Sequence, residues 1–534
     1  MKDFRSCIKG IWAFSKPVRG RTAVTVLLGL LRVALSLYFV WISKVLVDIV
    51  TGHLDKELNL YVGIMISIVL LQILLSLAFS CWVSKTSIKT QNAMRYGVFS
   101  HVLRSTWNGR EFYHSGDILN RIQEDIRVIV DLVCSRVPDI IITACQLVAA
   151  SVFLISMAPK LLLLLVILMI VAVLGSKMYY RTIRTLTTRI RELDSKSQQH
   201  IQENLQNRVL VLTLIGVERV LLKFGEIQKD IEKIFLTRLR YSTVARGFMA
   251  VGFMAGYLAA FLWGIYGIRD GVVTYGMMTA FLQLVGQVQR PLADLSKHVP
   301  AVIQALTSEE RLSDLVNLKT FDIEKGKVLD KAPSISFENV SFSYPDSDKN
   351  ELVLKDFSFT FEAGSLTVVM GPTGRGKSTL IRLAMGLLTP QSGTVRSCPM
   401  CNFMYVPQGN TLMSGSIREN LLLADPSATE EQMRDALSVA AADFVFTLPD
   451  ALDTRCGESG TGLSEGQAQR IAIARALLHN GTVLILDEAS SALDSTTENL
   501  FLSRLVKACH GQKTIIFISH RERAISYADS VLKL

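Results

Sequence analysis

The chain has 534 residues, of which 49% are hydrophobic and 19% charged, and its net charge is +10. Soluble domains carry about 25% charged residues. The shortfall here lies almost wholly before Glu309, so two domains of different character are expected. The positive charge gathers beside apolar runs, as it does in the cytoplasmic flanks of membrane segments. It points to a lipid bilayer as partner, not to nucleic acid.

Residues 1–21 are basic and moderately apolar (Phe4, Ile8, Ile11, Trp12, Phe14) and show no small-residue cleavage site. They read as an amphipathic helix on the inner membrane face, with a solvated tail as the plainer alternative. Six apolar stretches follow, at about 22–47, 60–83, 138–158, 160–180, 247–268 and 272–292. Each suffices to cross about 30 Å of hydrocarbon. With the segments joining them they make a transmembrane domain over 22–320. The joining segments alternate in length, and the long ones, 84–139 and 177–246, carry most of the Lys and Arg. That bias places the long segments and both termini in the cytoplasm. They are too polar to hold cores of their own. Both are expected to be extensions of the membrane helices, each turning back through a short helix.

Polar residues inside the apolar stretches are costly and mark water-filled space. Gln283, Gln287 and Arg290 follow at spacings of four and three, so they share a helix face with Asp294. They are expected to line a pathway, with Arg32 of the first stretch facing the same space. The alternative is that Arg290 and Asp294 lie at the cytoplasmic boundary and are simply solvated.

The pattern changes after Lys325, and a second domain is expected over 333–534. Residues 335–344 alternate apolar and polar as a half-buried strand does. The short run 366–370 leads into Gly371-Pro372-Thr373-Gly374-Arg375-Gly376-Lys377-Ser378-Thr379. This matches the GxxxxGK[ST] phosphate-binding loop between strand and helix. Its glycines let backbone amides point at phosphate oxygens, and the helix N-terminus adds partial positive charge. Lys377 reaches the β- and γ-phosphates, and Ser378 offers a hydroxyl to Mg²⁺. Further along, the apolar run 483–486 ends in Asp487 and Glu488. Asp487 is placed to hold Mg²⁺ and Glu488 to polarise the attacking water.

Downstream and upstream of that strand stand further motifs. Leu463-Ser464-Glu465-Gly466-Gln467 resembles the signature of ATP-binding cassette (ABC) proteins. Tyr344 resembles the residue stacking on adenine, and Gln408 the glutamine sensing Mg²⁺ and the membrane domain. Ser491 to Asp494 resembles the D-loop, and His520 the histidine that meets the γ-phosphate. The run 112–121 followed by Asp125 resembles the first intracellular coupling segment of ABC exporters; Pro291 and the Glu310-Arg311-Leu312 run resemble the sixth helix and its exit.

The resemblance covers nearly the whole chain. It implies a six-helix transmembrane domain of the ABC exporter type followed by an α/β P-loop NTPase cassette. It implies ATP and Mg²⁺ at the site, and a pathway along the sixth helix. One such chain is half a transporter: two pair, as homodimer or heterodimer, and each ATP lies between one phosphate loop and the other chain's signature. The expected cargo is a lipid, peptide or drug-like molecule, exported by alternating access. An importer or lipid flippase on the same fold is the alternative.

Three features depart from the family pattern. Glu465 stands where glycine is usual, the 393–408 stretch is short, and the chain stops at Leu534 soon after His520. Eight scattered cysteines form no disulfide framework. The pair Cys398 and Cys401 supplies two ligands where structural zinc takes four, so it is expected to be chemically idle.

Overall fold

The computed structural model describes residues 10–12, 16–105, 115–214, 216–318, 320, 327–344, 352–372, 374–409, 411–457 and 462–534. Most of the expected 1–21 helix before residue 16, the coupling residues Phe112, Tyr113 and His114, and Thr373 of the phosphate loop lie outside the described residues. The chain divides into two compact units. One comprises Met1–Phe99 with Asp117–Val316, the other Ser100–Gly116 with Asn317–Leu534.

The first unit is all helix. Its long members are α1 (Arg19–Val50), α2 (Leu58–Leu103), α3 (Gly116–Met157), α4 (Pro159–Lys177), α5 (Tyr180–Gln206), the short α6 (Arg208–Thr213), α7 (Val217–Arg269) and α8 (Tyr275–Val316). Helices α1, α2, α3, α4 and α7 are each long and apolar enough to cross a membrane. The sixth apolar stretch lies on α8, where glutamines and Arg290 break up the apolar surface and the helix runs on to Val316 through Pro291 and Pro300. Helix α2 runs unbroken through Leu103 and α7 begins at Val217, well before its apolar stretch. Helix α5 prolongs α4 after a break at Met178 and Tyr179, and α6 turns the chain back into α7. Helix α3 contains two π-helical turns, Arg121–Asp125 and Leu132–Arg136, which its sequence did not announce.

Between membrane helices apolar burial gives little driving force, so association rests on close packing and polar bonds. Helix α7 supplies the close packing. Its buried residues Gly252, Gly256, Ala260 and Gly264 recur every four positions and form a smooth stripe. A side chain at Gly252 would strike Ala172 of α4, and one at Gly256 would strike Gln289 of α8. The stripe packs beside a core of Leu154, Leu161, Leu165, Phe281, Leu284 and Val288. Polar bonds tie the ends. Buried Asp48 of α1 accepts from the Gly276 amide at 3.0 Å, satisfying a first-turn donor of α8.

At the start of α3, Arg121 Nε donates to Asp117 at 2.9 Å and its NH1 to the Arg311 carbonyl at 2.6 Å. Arg311 donates to Asp117 at 3.0 Å, and Ser308 to Asp125 at 2.8 Å. The two segments singled out in the sequence, Asp117 to Asp125 and Glu310 to Leu312, are thus joined by one lattice of charges.

The second unit is built on a parallel five-stranded sheet of order β10-β3-β9-β8-β5. Its strands are β3 (Leu366–Met370), β5 (Phe403–Val406), β8 (Val483–Asp487), β9 (Thr514–Ile518) and β10 (Ser530–Lys533). A separate antiparallel layer holds β1 (Ile335–Phe342) between β2 (Leu354–Phe361) and β4 (Ser392–Arg396), and a two-residue ribbon pairs β6 (Gly415–Ser416) with β7 (Arg455–Cys456). The parallel strands are covered on both faces, which is why they read as unbroken apolar runs. Leu484 and Leu486 face one core, with Ile471 and Phe501. Val483 and Ile485 face the other, with Leu380 and the β1 residue Phe337. Each such fully buried side chain contributes about 1.5–3 kcal/mol.

Candidate functional site

Ligands of open parallel sheets bind beyond the carboxyl ends of the strands. Here four neighbouring strands deliver the phosphate loop, His520, Asp487 with Glu488, and Gln408 to that edge. Strand β3 ends in the phosphate loop, β9 leads into His520, β8 ends in Asp487 and Glu488, and β5 leads to Gln408. The register aligns them, with Val369 opposite Ile518 and Ile518 opposite Asp487. Sequence order alone does not show this adjacency, because β9 lies between β3 and β8 in space.

The phosphate loop turns on Gly374 and Gly376, at φ 87° and 86°, a region that residues with a Cβ rarely adopt. Lys377 opens the helix Lys377–Ala384 and is only 7% exposed. Its ammonium folds onto the loop, donating to the Gly371 carbonyl at 2.6 Å and the Pro372 carbonyl at 3.3 Å. Arg375 lies in the turn before Gly376, donating its amide to the Pro372 carbonyl at 3.4 Å. Tyr344 is beside this helix, its hydroxyl 3.0 Å from Thr379 Oγ1 and accepting from Arg382 at 3.3 Å.

The acidic strand end meets two hydroxyls. Asp487 Oδ2 accepts from Ser378 Oγ and from Tyr405, each at 3.4 Å. Burial, and then the adjacent charge of Glu488, push the Asp487 carboxyl above the usual carboxylate range. A doubly charged cation reverses that penalty, and hydroxyl and carboxylate oxygens are the hard donors Mg²⁺ takes. Ser378 and Asp487 therefore fit that ion.

Glu488 has φ 53°, an unusual backbone for a side-chain-bearing residue, and its amide donates to the Ile518 carbonyl at 3.1 Å. Its two oxygens are shared: Gln408 Nε2 donates to Oε2 at 2.8 Å, and His520 Nε2 stands 2.9 Å from Oε1. The same His520 nitrogen is 3.0 Å from Lys377 Nζ. One ring nitrogen either accepts from the ammonium or donates to the carboxylate, so the proton on Nε2 decides which neighbour it holds.

The signature residues sit apart, at the N-terminus of the helix Glu465–Leu478. Ser464 caps that helix, accepting from the Gln467 amide at 3.2 Å, while Gln467 Oε1 accepts from the Ser464 amide at 2.9 Å. Leu463 packs against the adjoining core. Gly466 is pressed against the Ala492 carbonyl, 2.7 Å from where a Cβ would stand. Glu465 is exposed in the first turn, where a carboxylate suits the helix dipole. Asp494 caps the next helix, Ser495–Cys509, through Thr496 and Thr497, and the hydrogen bonds from Thr497 hold its carboxyl below the usual range.

Several residues of the site carry no motif. Tyr405 binds Asp487 as described. Gln469, a buried amide on an otherwise apolar helix face, donates to the Glu488 carbonyl at 3.2 Å and to Ser491 Oγ at 3.3 Å. Its signal was a polar residue between Ala468 and Ile471, both fully buried.

In the membrane unit, a cavity of about 510 Å³ is lined by Gln283, Gln287 and Arg290 of α8, together with Gln289, Ser36 of α1 and Tyr257 of α7. Arg32 does not reach it. Its guanidinium instead lies over the Phe79 ring, 5.2 Å from the centroid, because a cation gains more over a π-face than beside apolar neighbours.

The comparisons decide the family. Residues 22–292 match the model of the ABC transporter transmembrane region, and residues 354–491 match that of the ABC transporter cassette. The chain belongs to the ABC transporter family. It is 30% identical to the ABC multidrug transporter mdr2 of Aspergillus fumigatus, over 82% of this chain and 57% of that one. It is 26% identical to YgaD of Bacillus subtilis strain 168, provisionally named a multidrug export ATP-binding/permease protein, over 98% of this chain and 94% of that one. Among solved structures, a bacterial Atm1-family ABC exporter with ATP bound has the same fold, with a TM-score of 0.80 at 24% identity, over 97% of this chain and 93% of that one. A membrane domain fused to an ABC ATPase domain is the half-transporter architecture of the exporter type. The protein is an integral membrane protein, and the exporter reading is favoured over the importer.

Proposed function

We propose that this ABC half-transporter hydrolyses ATP with its own site and uses the closure it drives to export a small molecule, lipid or peptide. The observation carrying this reading is the chain of hydrogen bonds from Lys377 through His520 and Glu488 to Gln408 at one sheet edge. Gly371, Pro372 and Gly374 to Thr379 cradle the triphosphate, and Tyr344 meets the adenine. Mg²⁺, held by Ser378, Asp487 and Gln408, neutralises phosphate charge when bound. Glu488 orients the attacking water, while His520 holds either Lys377 or Glu488 according to its proton.

Leu463 to Gln467 act on the nucleotide of a second half-transporter, and Ser491 and Asp494 stand in the loop between the two sites. Ser464 and Glu465 are exposed, as that role requires. The tip formed by α6 supports a partner chain too: Val209, Leu210, Leu212 and Leu214 are large, apolar and exposed there. The cassette and both termini face the cytoplasm of a cell membrane, as the Lys and Arg bias requires.

The substrate route runs along α8. Gln287 donates to Ser36 at 3.0 Å, yet the carbonyl oxygens of Gln287 and of Gln289, which is 1% exposed, meet no donor among the described residues. A cargo that brings hydrogen-bond donors satisfies them. Gln283 and Arg290 complete this polar wall, and Arg32, over Phe79, lies outside it.

The test is Glu488→Gln. Turnover should fall about 10²- to 10⁴-fold, as for loss of a general base, while ATP binding persists and a closed dimer accumulates. Near wild-type turnover would assign the water to another residue. Uptake of candidate cargo into vesicles with cassettes outward separates export from import.

A further inference from the structure

Glu498 is a carboxylate with 0% exposure, on a helix whose inner face is otherwise Phe501, Leu502 and Leu505. A buried charge is retained only with close partners. Glu498 has two. Ser490 Oγ donates to Oε1 at 2.7 Å, and Arg521 NH1 donates to Oε2 at 2.9 Å. Arg521 does more than neutralise it. NH1 also donates to the Leu493 carbonyl at 2.7 Å, and NH2 to the Ser491 carbonyl at 2.9 Å. Three acceptors around two nitrogens suit a planar guanidinium fork and not a point-charge ammonium.

Arg521 follows His520 directly, and the loop it grips follows Glu488 directly. Glu488 holds φ 53°. A residue in that region is strained and stays there only if its surroundings hold it. Gln469 restrains this loop from the signature helix, binding the Glu488 carbonyl and the Ala492 amide. Arg521 restrains it from the His520 side.

We propose that Arg521 is a positioning residue for ATP hydrolysis: directly and together with Glu498 it fixes the loop after Glu488 against His520, and so keeps the Glu488 carboxylate in register with the histidine. This rests on the reading of Glu488 and His520 as the hydrolytic pair.

The experiment compares full-length protein carrying Arg521→Gln, Arg521→Lys, Glu498→Gln, the Arg521→Gln/Glu498→Gln double change and Glu488→Gln. Arg521→Gln should lower kcat about 10- to 30-fold with KM for ATP within about twofold, since misplacement by an ångström costs up to about 10²-fold. Arg521→Lys should not restore it. The double variant removes the unpaired buried carboxylate, so it should regain thermal stability over Arg521→Gln without regaining kcat. Recovery of kcat together with stability would make Arg521 merely structural and overturn the proposal, as would an unchanged kcat in Arg521→Gln. Turnover that survives Glu488→Gln would instead sink the underlying reading.

Discussion

The cassette and the membrane domain use polar groups in opposite ways. In the cassette the groups proposed to react stand on short loops at the ends of four adjacent strands, and each motif is contiguous in the chain. In the membrane domain the polar groups are scattered along long helices, and each acts through a residue far away in sequence: Asp48 with Gly276, Ser36 with Gln287, Arg121 with Arg311. A strand end fixes a side chain through its neighbours on the sheet. A lone membrane helix fixes nothing until another helix packs on it. Damage to the loop groups at the sheet edge should therefore abolish chemistry and leave the fold, whereas damage in the membrane lattice should loosen the fold and leave ATP affinity.

The largest effect expected on this contrast is Lys377→Ala. Charge-assisted hydrogen bonds contribute about 1.5–3 kcal/mol each, so ATP affinity should fall about 10- to 100-fold. Titration of a fluorescent ATP analogue reads it, and the melting temperature should barely move. Unchanged affinity would mean that the ammonium, now folded on Gly371 and Pro372, does not turn to the nucleotide.

Arg121→Met tests the other half of the contrast. It strips Asp117 and the Arg311 carbonyl of a donor at 2.9 and 2.6 Å. The cost should be about 2 kcal/mol, and the melting temperature should fall by about 4–8 °C while KM for ATP holds. A changed KM with an unchanged melting temperature would reverse the assignment of roles.

A finer probe concerns pH. Burial and Glu488 raise the Asp487 carboxyl, which favours its neutral form, whereas the metal needs the carboxylate. Mg²⁺-dependent nucleotide binding should thus weaken on acidification earlier than an ordinary carboxylate would predict. Glu488→Gln removes the second cause, so the acid limb should move to lower pH in that variant. An acid limb that stays put would show that burial alone sets it.

A cysteine in place of Gln287, in a background lacking the exposed Cys81, should react with a water-soluble thiol reagent at a rate that changes with ATP and vanadate. Silence in every nucleotide state would mean that the cavity along α8 is closed to water and the route lies elsewhere.

These contrasts also explain what was legible. Apolar runs marked the stretches that lie on α1, α2, α3, α4 and α7, and the lack of breakers in 177–246 pointed to helix, where α5 and α7 stand. Neither revealed the π-helical turns in α3 or the break at Met178, which depend on packing. The site motifs stood in order along the chain, yet their convergence needed the strand order. Tyr405, Gln469 and Arg521 belong to no motif and became visible only across space. Glu498 did leave a trace: an acid at a core-facing position, three, four and seven residues before Phe501, Leu502 and Leu505. The placement of Arg32 over Phe79 could not be read in advance, because that aromatic lies on another helix.

The smallest effect expected is at Cys398 and Cys401, where the cassette's rule that motifs carry chemistry meets its limit. Their spacing imitates a metal or redox pair. Burial pushes the Cys398 thiol up to about 11, so near pH 8 it is almost wholly protonated, and neither metal binding nor nucleophilic attack proceeds from the thiol form. Cys398 packs at the edge of the core that contains Leu380 and Ile485. Beside Cys401, Asn402 is the busier residue: it accepts from the Leu329 amide at 2.7 Å and donates to the Lys327 carbonyl at 3.2 Å. No cluster of three or more His, Cys, Asp or Glu positioned for a metal occurs among the described residues. Replacing both cysteines with serine should therefore leave ATPase and transport within about twofold, near 0.4 kcal/mol by the rate relation. Stoichiometric zinc in the purified protein, lost in the double variant, would contradict this, because it would require thiolates that the burial of Cys398 disfavours and ligands that the described residues do not supply.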